Sequence, residues 1–260
     1  MGLMFVGRAM SKIVSIHSYR GGTGKSNLTA NLAATVASHG KRVGMVDTDI
    51  QSPGIHVLFG LDDHTINRAL NDYLWGRCAI EDTAYDVTPA AVSAKGGTMF
   101  LIPSSVKTGE ITRVLREGYD VGLLNDGFEA LGEKLKLDYL FIDTHPGLNE
   151  ETLLSIAISD SLVLILRPDR QDFLGTAVTV EVARKLNVPR LLLVVNKALP
   201  TLNFESLREQ VESTYNCSVA GIFALTTEML ELGSGGVFCL LYPHHAFSKE
   251  VEKVARRIME

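Results

Sequence analysis

The chain has 260 residues, with 25 lysines and arginines, 30 aspartates and glutamates, and 46% hydrophobic residues. This composition is that of a globular protein and excludes disordered, collagen-like and coiled-coil chains. The net charge of −5 gives no general attraction to nucleic acid or to an anionic membrane, so contact with either needs a local basic patch.

The first ten residues, 1–10, are mildly apolar. Lys12 follows them, and they do not end in the small-residue cleavage site of a signal peptide. We interpret residues 1–10 as a disordered N-terminal extension and residues 11–260 as one domain. No Pro/Ser-rich linker, charge run or internal repeat divides the longer segment. No stretch of 18 uncharged apolar residues occurs, so we expect no transmembrane segment.

Short apolar runs rich in Val, Ile and Leu predict seven strands, at 13–16, 43–46, 99–102, 139–142, 162–166, 191–195 and 219–223. The runs are continuous rather than alternating, as expected for strands that are buried on both faces. Stretches of helical period lie between most of them, for example 26–38, 152–158 and 171–186. This alternation predicts an α/β fold with a mostly parallel twisted sheet and helices on both faces.

A glycine-rich loop follows the first predicted strand and reads Ser18-Tyr19-Arg20-Gly21-Gly22-Thr23-Gly24-Lys25-Ser26. Glycines let the backbone turn its N–H groups inward, and the helix that follows adds a dipole that favours phosphate. We expect Lys25 to reach the β- and γ-phosphates and the Ser26 hydroxyl to ligate Mg²⁺. The predicted nucleotide-binding residues are Gly21, Gly22, Thr23, Gly24, Lys25, Ser26 and Asn27.

The loop departs from the strict GxxxxGK[ST] pattern, which would place glycine where this chain has Tyr19. A glycine pair just before the Gly-Lys, with a basic residue ahead of it, resembles the deviant phosphate loop KGGxGK[ST] of the ParA/MinD family of positioning ATPases. Arg20 stands where that family has its leading lysine.

Two carboxylates, Asp47 and Asp49, follow the second predicted strand, and residues at i and i+2 of an extended chain point the same way. Each of them taken singly has an alternative role as the N-cap of the next helix. The segment is similar to the DxDxQ-like element of the ParA/MinD family. That resemblance implies that Asp49 orients or deprotonates the attacking water and that Asp47 supports the Mg²⁺ shell.

A third carboxylate, Asp143, ends the predicted strand at 139–142. This is the Walker B arrangement, which holds Mg²⁺ mostly through water, although a capping Asp at a buried strand end is the alternative. Residues 144–151 would then respond to the γ-phosphate. We expect His145, beside the magnesium site, to have an orienting or packing role rather than that of a general base.

The strand at 191–195 runs into Asn196, and Leu199 occupies the position of the guanine-binding Asp of the NKxD motif in GTPases. Guanine selectivity is therefore not expected. The amide of Asn196 has a donor and an acceptor for the adenine edge, so we predict ATP as the nucleotide. The alternative is an Asn that ends a strand in a turn.

These motifs occur in the family's order, so the resemblance covers residues 11–260. It implies a slow, partner-stimulated ATPase that binds ATP and Mg²⁺ and forms a homodimer with two ATP molecules between the subunits. Arg20 would then reach the ATP of the other subunit, although its planar guanidinium is not equivalent to a lysine. Iron–sulfur relatives need cysteines at the dimer face or as a CxxC pair; Cys78, Cys217 and Cys239 are scattered, so we exclude cluster carriage.

The last segment, 247–260, repeats apolar residues on one helix face, at Phe247, Val251, Val254 and Ile258. Acidic residues among its basic ones oppose anionic lipid, so we expect this helix to dock on the domain and expect no membrane association. Two basic groups offer a surface for non-specific DNA, and a dimer would pool them, namely Arg184, Lys185, Arg190 and Lys253, Arg256, Arg257. The alternative is that these charges are merely solvated.

We therefore interpret the chain as a cytoplasmic, nucleoid-associated ParA-type ATPase. It would dimerise on ATP, bind DNA and partition a chromosome, a plasmid or an organelle such as the carboxysome, together with a cargo adaptor protein that stimulates hydrolysis. A MinD-like membrane-associated spatial regulator and an ATP-dependent synthetase on the same fold are the alternatives.

Overall fold

The computed structural model describes residues 11–260, and the predicted extension at 1–10 lies outside the described residues. The strands, numbered in chain order, are β1 Lys12–His17, β2 Arg42–Asp47, β3 Tyr85–Asp86, β4 Thr98–Ile102, β5 Tyr139–Asp143, β6 Ser161–Leu166, β7 Arg190–Ala198 and β8 Val219–Ala224. They form one sheet in the order β3-β4-β2-β5-β1-β6-β7-β8. All pairs are parallel except that β3 runs antiparallel to β4.

The helices connect successive strands across the sheet. They are α1 Lys25–Ala37, α2 Leu70–Leu74, α3 Ala90–Ser93, α4 Thr108–Glu117, α5 Gly122–Lys134, α6 Glu150–Ala157, α7 Arg170–Lys185, α8 Phe204–Tyr215, α9 Thr227–Leu232, α10 Phe238–Leu241 and α11 Ala246–Met259. Two short 3-10 helices lie at Ile55–Phe59 and Ile80–Thr83. None of the helices between residues 11 and 260 combines the length and apolar character that crossing a membrane requires.

Both faces of the sheet are covered, because alternate residues of the central strands belong to different cores. In β5, Phe141 packs in the core that α1 and α11 cover, whereas Leu140 and Ile142 pack with Phe128 of α5 on the opposite face. The predicted α/β fold with a two-sided, mostly parallel sheet is therefore confirmed. Parallel strands need this double cover, since neither face is polar enough to meet water.

All seven predicted runs are strands, and the three predicted helical stretches are α1, α6 and α7 to within two residues. The two-residue strand β3 was missed because so short an element carries no periodic signal. The final helix docks as expected: the apolar face of α11 is buried against α1 and β8 through Phe247, Val251, Val254 and Ile258.

Candidate functional site

The glycine-rich loop joins the carboxyl end of β1 to the amino end of α1. Gly22 and Gly24 have φ of 76° and 94°, in the left-handed region that favours glycine. A Cβ at Gly24 would also lie 2.6 Å from Nδ2 of Asn196. No side chain caps the amino end of α1, so the first N–H groups of the helix remain available to an anion.

Asn196 and Lys197, at the end of β7, hold this loop from the side. The Asn196 Nδ2 donates to the Thr23 carbonyl at 2.7 Å, and its Oδ1 accepts from the Lys197 N–H at 2.9 Å. The Lys197 Nζ donates to the Gly22 carbonyl at 2.8 Å. The backbone of Lys197 itself has a φ of 56°, in the left-handed region. Lys197 was missed by the sequence analysis, although the Asn-Lys dipeptide was a signal that could have found it.

The sheet register brings two of the predicted magnesium ligands together. Asp47 pairs with Asp143 across β2 and β5, and both carboxylates are fully buried. Burial raises the pKa of both, and each has another carboxylate nearby that raises it further: Asp143 for Asp47, and Asp49 for Asp143. The Lys25 ammonium and the Ser26 hydroxyl oppose that rise at Asp143.

These residues fit a magnesium ion. The Asp143 Oδ2 is buried without a hydrogen-bond partner, whereas its Oδ1 accepts from the Thr29 hydroxyl at 3.2 Å. A divalent cation would relieve the repulsion between Asp47 and Asp143 and would satisfy the free oxygen. Magnesium suits such a site because it takes one or two carboxylates and keeps several waters.

Asp49 lies at the mouth of the same site. Its Oδ1 accepts from the Ser52 N–H at 3.2 Å and lies 3.8 Å from Nε2 of His145. Burial raises the pKa of Asp49, while His145 and the Lys25 ammonium oppose the rise. The His145 Nδ1 pairs with the Pro146 carbonyl at 2.7 Å, which orients the ring toward Asp49. The structure thus brings Lys25 and Asp49 together with the two buried carboxylates, Asp47 and Asp143.

Arg20 lies apart from this group and pairs with carboxylates of its own chain. Its Nη1 is 3.2 Å from Asp172 Oδ1 and 3.6 Å from Asp169 Oδ1, at the amino end of α7. Arg167 also binds Asp172, with Nε 3.1 Å from Oδ2. Nothing in the sequence pointed to Asp172 as a partner of Arg20.

A mainly apolar cavity of about 160 Å³ opens beside the glycine-rich loop. Asn27 and Leu28 of α1 form one wall, and the segment after β8 forms the other with Leu225, Thr226, Met229 and Leu230. The sequence does not predict this second wall, because residues 225–230 match no motif.

The three cysteines are free: Cys239 is buried, and Cys78 and Cys217 are partly buried. Within residues 11–260, no group of three or more His, Cys, Asp and Glu side chains is arranged to hold a metal ion. The predicted magnesium ligands are the two carboxylates of Asp47 and Asp143 and the hydroxyl of Ser26, so they do not form such a group.

A search of protein-family models matches residues 9–259 to the ParA family, described as NUBPL iron-transfer P-loop NTPase. The iron-sulfur cluster carrier protein of Methanocaldococcus jannaschii is 27% identical over 96% of this chain and 86% of its own length. The septum site-determining protein MinD of Bacillus subtilis is 26% identical over 96% and 90%. MinD of Pyrococcus horikoshii, solved with Mg-ADP, has the same fold, with a TM-score of 0.78, 22% identity and 96% coverage of both chains.

The family model and the carrier relatives bear on the iron–sulfur question. The spacing of the cysteines does not by itself exclude cluster carriage. The description of the matched family names iron transfer, and a relative of similar length is an iron-sulfur cluster carrier protein. The resemblance to ParA and MinD proteins is confirmed, as is the P-loop NTPase fold. The chain therefore belongs to the ParA/MinD family of P-loop NTPases.

Proposed function

We propose that the chain is a Mg²⁺-dependent ParA-type ATPase that dimerises on ATP and uses nucleic acid as a matrix on which to position a cargo. The observation that carries the catalytic part is the buried pair Asp47 and Asp143 beside the Lys25 ammonium. A phosphate chain with its metal is the ligand that such a mixture of charges fits.

The residues of the site have distinct roles in this proposal. The N–H groups at the amino end of α1 and the Lys25 ammonium would bind phosphate oxygens, and Ser26, Asp47 and Asp143 would hold Mg²⁺. The ion would supply charge neutralisation between the β- and γ-phosphates. Asp49 would hold the attacking water and take its proton, and burial makes its carboxylate a stronger base than an exposed aspartate.

The apolar cavity supports adenine as the base. No acidic side chain is among the described residues that line it, so a guanine would lack the carboxylate partner for its N1–H and N2–H groups. Asn196 lines the cavity, but both its oxygen and its amide nitrogen bind this chain. The apolar walls and nearby main chain would therefore select the base, more than the Asn196 side chain.

Nucleic acid is favoured over membrane as the matrix by the position of α11. Its apolar face is buried in the domain, so that face has no free side chains to insert into lipid. The relatives of this chain include the septum site-determining protein MinD and the sporulation initiation inhibitor protein Soj, both of Bacillus subtilis, as well as iron-sulfur cluster carrier proteins.

Binding of non-specific duplex DNA, measured against salt with ATP, with ADP and without nucleotide, tests the proposal. We expect tight binding only with ATP, with an affinity that falls steeply as salt rises. Equal binding in all three states, or none in any, would contradict the nucleic-acid matrix. ATP hydrolysis with and without Mg²⁺, measured alongside, tests the catalytic part separately.

Iron–sulfur carriage is the second candidate, and the matched family description is the observation that favours it. Anaerobic incubation with ferrous iron and sulfide, followed by absorbance and iron analysis, separates the two. Stoichiometric incorporation that is lost on Cys217→Ser, Cys78→Ser or Cys239→Ser would favour the carrier.

A further inference from the structure

His17 is the last residue of β1 and is fully buried, one position before the glycine-rich loop begins. The sheet register pairs Ile16 with Asp143, across β1 and β5. The next residues along, His17 and Thr144, therefore lie opposite each other, and the His17 Nδ1 is 2.7 Å from the Thr144 hydroxyl. The imidazole thus joins the start of the phosphate loop to the residue that follows a predicted magnesium ligand.

Hydrogen bonding assigns the proton of this buried imidazole to Nδ1. The Thr144 hydroxyl has one proton, which it donates to the Ile16 carbonyl at 3.0 Å. The hydroxyl oxygen then accepts from His17, so Nδ1 carries the proton and donates it. Burial, with a smaller contribution from the nearby Lys25 ammonium, lowers the pKa of His17 to about 3, so the ring stays neutral.

The second ring nitrogen of His17 shows what this imidazole costs. Nε2 is left as an acceptor, and it is buried without a hydrogen-bond partner among residues 11–260. An unpartnered acceptor in the interior is unfavourable, and an apolar side chain of similar size would avoid it. The bond from Nδ1 to Thr144 is therefore what an imidazole contributes here and an apolar residue would not.

Main-chain hydrogen bonds attach the segment around Thr144 to the same part of the chain. The Thr144 N–H donates to the carbonyl of the residue before His17 at 3.3 Å, and the Gly147 N–H donates to the Ser18 carbonyl at 3.2 Å. The segment that begins at Thr144 and ends at Gly147 is therefore held against the start of the phosphate loop at both of its ends. His17 adds a side-chain bond to the first of these attachments.

Thr144 lies between two groups of the site whose positions it can set. Asp143 precedes it, and Thr48 holds the main chain of Asp143 from β2, with its N–H and its hydroxyl both 3.0 Å from the Asp143 carbonyl. His145 follows it, with Nε2 3.8 Å from the Asp49 Oδ1. A shift of Thr144 would therefore move a metal-binding carboxylate on one side and the neighbour of Asp49 on the other.

We propose that His17 is a positioning residue for ATP hydrolysis, an inference that rests on the ATPase activity proposed above. Through Thr144, it fixes where Asp143 and His145 stand relative to the phosphate loop. The contacts expected for the nucleotide itself, from the loop N–H groups and Lys25, do not pass through Thr144. His17 therefore acts on the turnover rate, because reacting groups tolerate a misplacement of about 1 Å poorly.

Two substitutions separate the hydrogen bond of His17 from its bulk. His17→Asn keeps a side-chain N–H for Thr144, whereas His17→Leu fills the site and donates nothing. With Mg²⁺, we expect kcat for ATP hydrolysis to fall at least about tenfold in His17→Leu and to stay within about threefold of wild type in His17→Asn. The affinity for ATP without Mg²⁺ should stay within about twofold of wild type in both variants.

Amide hydrogen exchange measures the positioning without turnover. In His17→Leu we expect the N–H groups of Thr144 and Gly147 to exchange at least about tenfold faster than in wild type, because the segment opens more often. In His17→Asn they should exchange at the wild-type rate.

Thr144→Val removes the same bond from its other side and decides the question if His17→Leu does not fold. Its kcat should fall by a similar factor. Adding His17→Leu to it should lower kcat no further, because both substitutions remove one shared interaction.

Ser15→Ala is the matched control, because Ser15 lies two residues before His17 on the same face of β1 and is also fully buried. Its hydroxyl donates to the Ser155 carbonyl at 2.9 Å and accepts from the Ser159 hydroxyl at 2.7 Å, in and just after α6. We expect this variant to unfold at a lower temperature with an unchanged kcat.

The outcomes separate this inference from the proposal on which it rests. If wild type hydrolyses no ATP with Mg²⁺, the proposed activity is wrong and the positioning role falls with it. If wild type hydrolyses ATP and His17→Leu keeps its kcat, or Ser15→Ala loses as much kcat as His17→Leu, His17 is a structural residue only. Equal losses of kcat in His17→Asn and His17→Leu would also overturn the inference.

Discussion

The ring of Tyr19 lies against the main chain of Gly175, at a point of α7 where any side chain would overlap the ring. Tyr19 is the residue that departs from the strict phosphate-loop pattern, and Gly175 lies inside a helix, where glycine is unfavourable. The two residues are complementary, because the glycine in α7 provides the space that the tyrosine in the loop fills. With the adjacent Arg20 bound to Asp172, they attach the phosphate loop to α7.

We expect Gly175→Ala to displace Tyr19 and to lower the free energy of unfolding by about 1–3 kcal/mol, the usual cost of overpacking. Nucleotide affinity should fall as well, because the loop moves with the ring. In a Tyr19→Ala background the same substitution should be neutral or stabilising, since alanine is the better helix former. Urea unfolding and nucleotide titration of the four proteins measure this, and additive effects would contradict the contact.

Arg20→Ala should separate the role of this residue in the monomer from its role between subunits. Asp172 keeps its contacts with Arg167, and Arg20 is 39% exposed, so monomer stability should change by less than about 1 kcal/mol. If Arg20 leaves Asp172 to reach the ATP of a second subunit, ATP-dependent dimerisation should fall at least tenfold. Light scattering with ATP and Mg²⁺ measures this, and an unchanged dimer would exclude the contact between subunits.

Asn196→Ala should weaken ATP and GTP binding equally, by about 1 kcal/mol or roughly fivefold, because its amide supports the Thr23 carbonyl. The competing hypothesis, that Asn196 reads the adenine edge, predicts a change in the ratio of the two affinities. Titration with both nucleotides decides between them, and a ratio altered by more than about threefold would restore the base-reading role.

Asp143→Asn should stabilise the metal-free protein by about 1–3 kcal/mol at pH 7 and abolish Mg²⁺-dependent hydrolysis. The Asp143 carboxylate has a buried oxygen without a partner, and its raised pKa means that the fold favours the protonated form. The stability that the protonated Asp143 contributes is therefore lost as the pH rises above 3.8, the ordinary pKa of this carboxyl, and through the higher pKa that Asp143 has in the folded state.

The matched control for that substitution is Asp172→Asn. Burial acts to raise the pKa of Asp172, but hydrogen bonds from Arg167 outweigh it and lower the pKa overall. Its ionised form is therefore stabilising, and the control should lower the thermal unfolding temperature at pH 7. Equal destabilisation by both substitutions would show that Asp143 is not strained in the absence of metal.

His17 predicts a loss of stability in acid. Burial, with smaller contributions from Lys25 and His145, lowers its pKa from 6.5 to about 3. As the pH falls, His17 is protonated in the unfolded chain before it is protonated in the folded one. The stability that is present above pH 6.5 is therefore lost as the pH falls toward 3. The loss is at most about 1.4 kcal/mol per pH unit.

His17→Asn checks this pH dependence, because an asparagine keeps a donor for the Thr144 hydroxyl, which lies 2.7 Å from His17 Nδ1. Between pH 6.5 and 4.5, wild type should lose about 2 kcal/mol more unfolding free energy than the variant. Parallel pH profiles from urea unfolding would show that His17 does not contribute.

The sequence by itself determined the sheet and the elements of the nucleotide site. Continuous apolar runs mark strands buried on both faces, and parallel strands end on the same side of the sheet, which places Asp47, Asp49 and Asp143 on the same side as the loop that follows β1. These relations depend on local period and chain direction, both of which one sequence carries. The close approach of the three carboxylates to the loop depends on the strand order β2-β5-β1, which the structure shows.

Only the tertiary structure decided which distant groups meet. It placed Arg20 on Asp172 and the Asn196 amide on Thr23, and it opened the cavity wall at Leu225–Leu230. It also divided the basic residues into those paired with carboxylates and those anchored on carbonyls. A hydrogen bond or ion pair requires two atoms to lie about 3 Å apart, to within a few tenths of an ångström, and here their residues are far apart in the chain. No local pattern carries that information.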